Sequence, residues 1–281
     1  MLAKIGVLIF ILQLLSPPNA WTEKVETDDS ILCSKDIEQK ETKKFGEYRV
    51  VIAYANGRTC QRLSIIKGNQ VVFSDEGFDN HYSFGSHDRN EFSFGNLIGH
   101  GKQLVLTKWT GGAHCCMTLL IFDLGIEFRQ IAEIYGGNFE PEIVDLDRDG
   151  IPEIRVTDDF LAYRFSSFAS SATAKVILKY TNGSYSIAPS FMKKPTPAKG
   201  PLESKVASWK NLLRRKKSPD WPPPKLVQEF TNLVYSGNKK IAFDLLDRAW
   251  PPDVSGRSDF LNSYGEALLE SRFYSEFERK L

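Results

Sequence analysis

The stretch R-V-V-I-A-Y-A-N-G-R-T-C-Q-R-L-S-I-I-K-G-N-Q-V-V-F-S, residues 49–74, indicates the fold. It contains three short runs rich in β-branched and aromatic residues, which are typical of strands. Asn56-Gly57 separates the first two runs, and K-G-N-Q separates the second from the third. Asn-Gly and Gly-Asn pairs favour tight turns. The stretch therefore predicts three antiparallel strands joined by short turns.

The same pattern returns later and extends the predicted β-domain over residues 48–188. Further strands are predicted at 103–109, 117–123, 128–135, 153–157, 174–180 and 185–188. Residues 96–107 are similar to residues 145–157, at a spacing of about fifty residues that suits a propeller blade. Two or three such units are fewer than the usual four to eight blades. We therefore expect blade-like units that form an incomplete, propeller-like arrangement.

A proline-rich segment, residues 189–202, follows the β-domain and is predicted to be a linker. In residues 203–281 apolar side chains recur at the spacing of amphipathic helices. One such face consists of Leu226, Val227, Phe230, Leu233 and Val234. The sequence thus predicts an α+β protein, an antiparallel β-domain followed by a C-terminal helical region. It leaves open whether the helices pack on the β-domain or form a domain of their own.

The first residues, M-L-A-K-I-G-V-L-I-F-I-L-Q-L-L-S-P-P-N-A, have the pattern of a secretory signal peptide over residues 1–20. Lys4 provides the positive charge, and the apolar run after it is too short to span a bilayer comfortably. Ala20 precedes the expected cleavage site, and an uncleaved N-terminal anchor is the alternative. We expect residues 21–47 to be irregular. The processed protein is predicted to be exported to the periplasm or the extracellular space.

The charge of the chain argues against binding to nucleic acid. The 281 residues include 36 basic and 35 acidic side chains, for a formal net charge of +1. Basic residues are concentrated in residues 193–225, which begin with Lys193 and end with Lys225. This segment could make a weak contact with an anionic surface, or it could be a solubilising linker and helix face. The expected partner is a protein or an envelope component.

The chain has four cysteines, Cys33, Cys60, Cys115 and Cys116. An even number of cysteines in an oxidising compartment indicates disulfide bonds. Four cysteines allow three pairings. The sequence does not distinguish a Cys33–Cys60 bond with a Cys115–Cys116 bond from the two pairings that link each early cysteine to one of the adjacent pair.

Residues 145–154, D-L-D-R-D-G-I-P-E-I, predict a calcium loop. Carboxylates at positions one, three and five of a tight loop can converge on a hard cation, and a glycine at position six permits the sharp bend. The predicted ligands are Asp145, Asp147, Asp149, the backbone oxygen of Ile151, and Glu153. An EF-hand would need a glutamate at position twelve, where Val156 stands. The loop is therefore not an EF-hand.

These residues resemble the calcium loops of FG-GAP and VCBS-type repeats, with the pattern D-x-D-x-D-G-x-x-D/E-[LI]. The resemblance covers residues 145–154 and implies that calcium stabilises a turn between two strands. Glu153 stands where aspartate is commoner in that family. The similar segment at residues 96–101 lacks the acidic residues, so no metal is expected there.

Residues 110–117, T-G-G-A-H-C-C-M, offer an alternative centre. His114, Cys115 and Cys116 could form a soft-metal site or a thiol nucleophile with a histidine, as in an enzyme. Adjacent strand residues point to opposite faces, and exported thiols tend to be oxidised, so we expect disulfides instead. G-G-A-H-C-C between two strands is similar to a signature of exported bacterial proteins with degenerate FG-GAP-like repeats, which implies a compartment and a fold but no activity. The sequence therefore favours a calcium-binding, non-catalytic binding or structural module.

Overall fold

A computed structural model describes residues 39–55, 60–85, 93–112, 115–215 and 221–281. Within these residues the chain has the α+β fold that the sequence predicts. The strands are β1 (Gln39–Phe45), β2 (Tyr48–Ala55), β3 (Cys60–Lys67), β4 (Gln70–Phe78), β5 (His81–Phe84), β6 (Phe94–Gly95), β7 (Gln103–Trp109), β8 (Met117–Leu124), β9 (Phe128–Gly137), β10 (Glu142–Val144), β11 (Glu153–Asp158), β12 (Ala174–Thr181) and β13 (Ser184–Ile187). The α-helices are α1 (Lys199–Arg214), α2 (Pro224–Val234), α3 (Lys239–Ala249), α4 (Arg257–Glu270) and α5 (Tyr274–Arg279).

The strands form three antiparallel sheets, each built from consecutive segments of the chain. Sheet 1 has the order β1-β2-β3-β4, sheet 2 has the order β5-β7-β8-β9 with β6 on β7, and sheet 3 has the order β10-β11-β12-β13. Gly68, between β3 and β4, and Gly183, between β12 and β13, have φ angles of +57° and +89°. Glycine adopts these angles without steric cost. Four-stranded antiparallel sheets in chain order are the geometry of blade-like units.

Strand β1 differs from the sequence-based expectation, which is an irregular segment through residue 47. Its sequence, Q-K-E-T-K-K-F, has no alternation of apolar and polar residues. Among the described strands it pairs only with β2, at the edge of sheet 1. Charged side chains are common on edge strands because they discourage pairing with another chain. The strand is formed by its pairing with β2 and not by burial of an apolar face of its own.

Two apolar clusters lie on opposite faces of sheet 2. On β7, Leu104 and Leu106 belong to the cluster shared with sheet 1, whereas Val105 belongs to the cluster shared with sheet 3 and the helices. Successive side chains of a strand point to opposite faces. Sheet 2 is therefore covered on both faces, and this explains why β8, M-T-L-L-I-F-D-L, is an almost continuous apolar run.

The helices pack on the sheets through a common core and do not form a core of their own. One cluster contains Ile154 and Val176 of sheet 3 together with Phe230, Leu246 and Tyr264 of the helices. All of the described residues fall in one compact unit. None of the helices in the described ranges is long and apolar enough to span a membrane.

Helix α1 begins at Lys199, inside the segment 189–202 that the sequence assigns to a linker. Pro201 lies in its first turn, where a proline is tolerated because the backbone N–H groups of that turn have no partner within the helix. Residues 1–20, the predicted signal peptide, lie outside the described residues.

Asp158, the last residue of β11, connects sheet 3 to the helices. Its carboxylate is buried and accepts hydrogen bonds from the Tyr235 hydroxyl at 2.5 Å and the Ser271 hydroxyl at 2.6 Å. Burial is the largest effect on this group and raises the pKa of the Asp158 carboxyl above its ordinary value.

The raised pKa of Asp158 predicts a stability that depends on pH. Between the ordinary pKa, about 3.9, and the higher folded-state pKa, the folded protein binds a proton that the unfolded chain releases. The stability that this bound proton contributes is fully present below the ordinary pKa and is lost as the pH rises through the folded-state pKa. An Asp158→Asn variant stays uncharged, so its unfolding free energy, measured by urea titration from pH 4 to 8, is expected to lack this decline. If the unfolding free energies of both proteins fall equally between pH 4 and 8, the raised pKa of Asp158 is contradicted.

Candidate metal centre

The acidic loop, residues 145–152, connects β10 to β11 in sheet 3. Its bend is produced by Arg148 and Gly150, which have φ angles of +62° and +84°. The aspartates fix the loop through hydrogen bonds with its backbone. Asp145 Oδ2 accepts from the Gly150 N–H at 3.0 Å, and Asp149 Oδ1 accepts from the Ile151 N–H at 2.7 Å. Asp147 Oδ1 lies 3.4 Å from the Asp149 nitrogen.

The three aspartates remain exposed and converge. One carboxylate oxygen of each of Asp145, Asp147 and Asp149 lies within 4.8 Å of the other two, a group that could hold a metal ion. Each aspartate bonds the loop backbone through one oxygen, and the other oxygens of Asp147 and Asp149 face the ammonium of Lys179. Calcium takes oxygen ligands of this kind. The structure thus brings together three of the predicted ligands.

Glu153, the fourth predicted acid, is fully buried at the start of β11 and lies outside this group. Its Oε2 accepts a hydrogen bond from the Leu146 N–H at 3.0 Å. Its Oε1 lies 2.8 Å from Lys179 Nζ but without the geometry of a hydrogen bond. The ligand role of Glu153, like that of the Ile151 carbonyl, stays a prediction.

Lys179 of β12 is the residue at this site that the sequence pattern does not indicate. Its Nζ lies 2.8 Å from Asp147 Oδ2 and 3.1 Å from Asp149 Oδ2, in addition to Glu153. The hydrogen bond with Asp147 is the largest of the effects that raise the pKa of Lys179, and the same bond lowers the pKa of Asp147. The ammonium therefore acts as a counter-ion of the loop. A metal ion bound by the same oxygens would have to displace it.

The alternative centre is oxidised. Cys115 and Cys116 are bonded to each other, and Cys60 is also disulfide-bonded. The Tyr135 hydroxyl donates a hydrogen bond to Cys116 Sγ at 2.7 Å. His114 and Cys33 lie outside the described residues. A thiol nucleophile or a thiolate metal site at Cys115 and Cys116 would therefore require prior reduction.

The basic segment, residues 193–225, is partly neutralised by contacts within the protein. Lys205 Nζ lies 2.7 Å from a carboxylate oxygen of Glu229, which also accepts from the Trp209 indole at 2.7 Å. Lys193 Nζ donates to an oxygen of Leu281 at 2.9 Å. Residues 216–220 lie outside the described ranges. These contacts reduce the charge that the segment could offer to an anionic surface.

Comparisons of the chain with protein-family models, with curated proteins and with solved structures found no match. Within the described ranges, the aspartates of the acidic loop form a group of side chains that could hold a metal ion.

Proposed function

We propose that the protein is an exported, non-catalytic binding or structural module in which calcium stabilises the loop between β10 and β11. The observation that carries this proposal is the convergence of one oxygen from each of Asp145, Asp147 and Asp149 within 4.8 Å. The resemblance of residues 145–154 to the calcium loops of FG-GAP and VCBS-type repeats supports calcium as the bound ion.

The charge balance of the loop also supports a cation. Its four carboxylates, those of Glu153 and the three aspartates, outnumber the one ammonium among the described residues that contacts them, that of Lys179. Like charges at this distance repel unless a counter-ion is present. The loop leads directly into β11, whose Ile154 and Val156 are in the core. An ion that orders the loop therefore stabilises sheet 3.

Calcium is expected to raise the thermal unfolding midpoint of the wild-type protein relative to chelator. At a free concentration ten times the dissociation constant, one site adds about 1.4 kcal/mol of stability by mass action. Asp147→Asn removes one converging carboxylate and is expected to abolish most of the calcium-dependent shift. The measurement is differential scanning calorimetry of both proteins in calcium and in chelator.

Asp244→Asn is the matched control because Asp244 is exposed on α3 and does not belong to the converging group of aspartates. It makes the same chemical change and is expected to keep the full calcium-dependent shift. A wild-type midpoint that does not respond to millimolar calcium would refute the proposal. So would an Asp147→Asn variant that responds as strongly as the control.

A further inference from the structure

A second site lies beside the acidic loop, and we infer that it binds a small amphipathic organic anion. It is a cavity of about 500 Å³ between strands β11 and β12 and helix α2. Leu146 of the acidic loop contributes to its wall. A volume of this size is typical of pockets that accept small organic molecules. The inference does not depend on the binding of calcium.

The rim of the cavity is positively charged. Arg155, Lys175 and Lys194 all line it. Glu142 is the carboxylate nearest the first two, with one oxygen 2.9 Å from Arg155 Nη1 and the other 3.7 Å from Lys175 Nζ. Two cations thus share one carboxylate, and Lys194 forms no ion pair with any acidic side chain in the described ranges. The rim therefore has an excess of positive charge that complements an anion.

The position of these cations follows from the strand register. Arg155 lies opposite Glu142 on one side and Ile177 on the other, and Lys175 lies opposite Thr157. Arg155 and Lys175 project from the face of sheet 3 that carries Lys179, because they alternate with the core residues Val156 and Val176. The same face of sheet 3 thus presents the acidic loop at one end and the cationic rim at the other.

Part of the cavity lining is apolar, beside polar side chains such as Tyr235 and Ser236. Ile177 of β12, together with Phe191 and Met192 after β13, contributes to its lining, and Met192 and Ile177 are buried. On the helix side, Asn232 accepts a hydrogen bond from Gln228 Nε2 at 3.0 Å through its amide oxygen, so its NH₂ group is a donor at the rim. An apolar patch beside a rim of cations and an amide donor fits a carboxylate with an apolar body.

Isothermal titration calorimetry in chelator can test this site with decanoate as the probe. Decanoate is expected to bind, because its head group meets the cations and its chain fills the interior. Decyltrimethylammonium, with the same chain and the opposite charge, and inorganic phosphate, which lacks a chain, are each expected to bind at least about tenfold more weakly. Met192→Trp, which fills the cavity, is expected to abolish decanoate binding.

The double variant Lys175→Gln/Lys194→Gln removes two rim charges and is expected to weaken decanoate binding about tenfold or more, since hydrogen bonds to charged groups are among the strongest. Lys210→Gln/Lys240→Gln makes the same charge change on exposed positions of α1 and α3 and is expected to bind like wild type. Unfolding midpoints of the unliganded variants establish that both fold. Equal weakening in the two double variants, or equal binding of decanoate and decyltrimethylammonium, would overturn the inference.

Discussion

Replacing Lys179 with glutamine is expected to lower the free energy of unfolding in chelator by about 3 kcal/mol, because a buried carboxylate that loses its counter-ion is strongly destabilising. Glu153 is that carboxylate, since it is 0% exposed and lies 2.8 Å from the Lys179 ammonium. Lys179 itself is 24% exposed, which is why we expect the lower end of the range for buried pairs. Chemical denaturation of both proteins in chelator measures the difference.

The same variant is expected to bind calcium about tenfold more tightly than wild type. Two like unit charges 4 Å apart repel by about 1 kcal/mol in water. The repulsion between a divalent ion and an ammonium at that distance is at least as large. Removal of the ammonium is therefore expected to raise the affinity for calcium about tenfold. In saturating calcium the stability difference between the proteins is expected to shrink, because calcium then neutralises the same oxygens.

Lys240→Gln is a suitable control for this experiment, because Lys240 is exposed on α3. It is expected to change neither stability in chelator nor calcium affinity by more than a few tenths of a kcal/mol, as for most surface substitutions. If Lys179→Gln behaves like this control in both measurements, Lys179 is not the counter-ion of the loop.

The sequence predicts the parts of this protein that depend on local pattern. The strands of residues 49–74 have alternating or β-branched runs with glycine turns, and the apolar face of α2 has the helical period, so both are recognisable. The aspartates of the acidic loop are recognisable for the same reason, since all three lie within one short segment.

The parts that the sequence does not indicate depend on pairing between distant segments. Lys179 reaches the loop because β12 lies next to β11, although it is 32 residues from Asp147 in the chain. The cationic rim likewise combines β11, β12 and the segment after β13. Strand β1 is missed because its edge position removes the apolar alternation by which strands are recognised.

Replacing Phe230 with alanine is expected to give the largest loss of stability, about 3–5 kcal/mol, as for other buried aromatic residues. Phe230 of α2 is fully buried. Its ring centroid lies 4.9 Å from that of Tyr264, 5.2 Å from that of Phe243 and 5.6 Å from that of Phe260. Each aromatic pair of this kind adds about 0.5–1.5 kcal/mol beyond the area that it buries.

Phe78→Ala is the matched control, because Phe78 is 49% exposed on β4 and its replacement is expected to cost far less. Phe230→Leu leaves a smaller cavity and should fall between the two, which keeps the comparison informative if the alanine variant does not fold. Urea titrations followed by circular dichroism supply all three values. A cost for Phe230→Ala no larger than that for Phe78→Ala would contradict the burial of this ring.

The same titrations test whether the helices and sheet 3 are one cooperative unit. Phe230 lies in the cluster that contains both the helical residues and Ile154 and Val176 of sheet 3. Because both parts share this core, loss of the ring is expected to shift helical and tertiary signals together, in a single transition. If the helices instead unfold at a lower urea concentration while the β-sheet signal keeps its wild-type midpoint, the helical region is a separate folding unit. The contact of sheet 3 with the helices would then contribute little to stability.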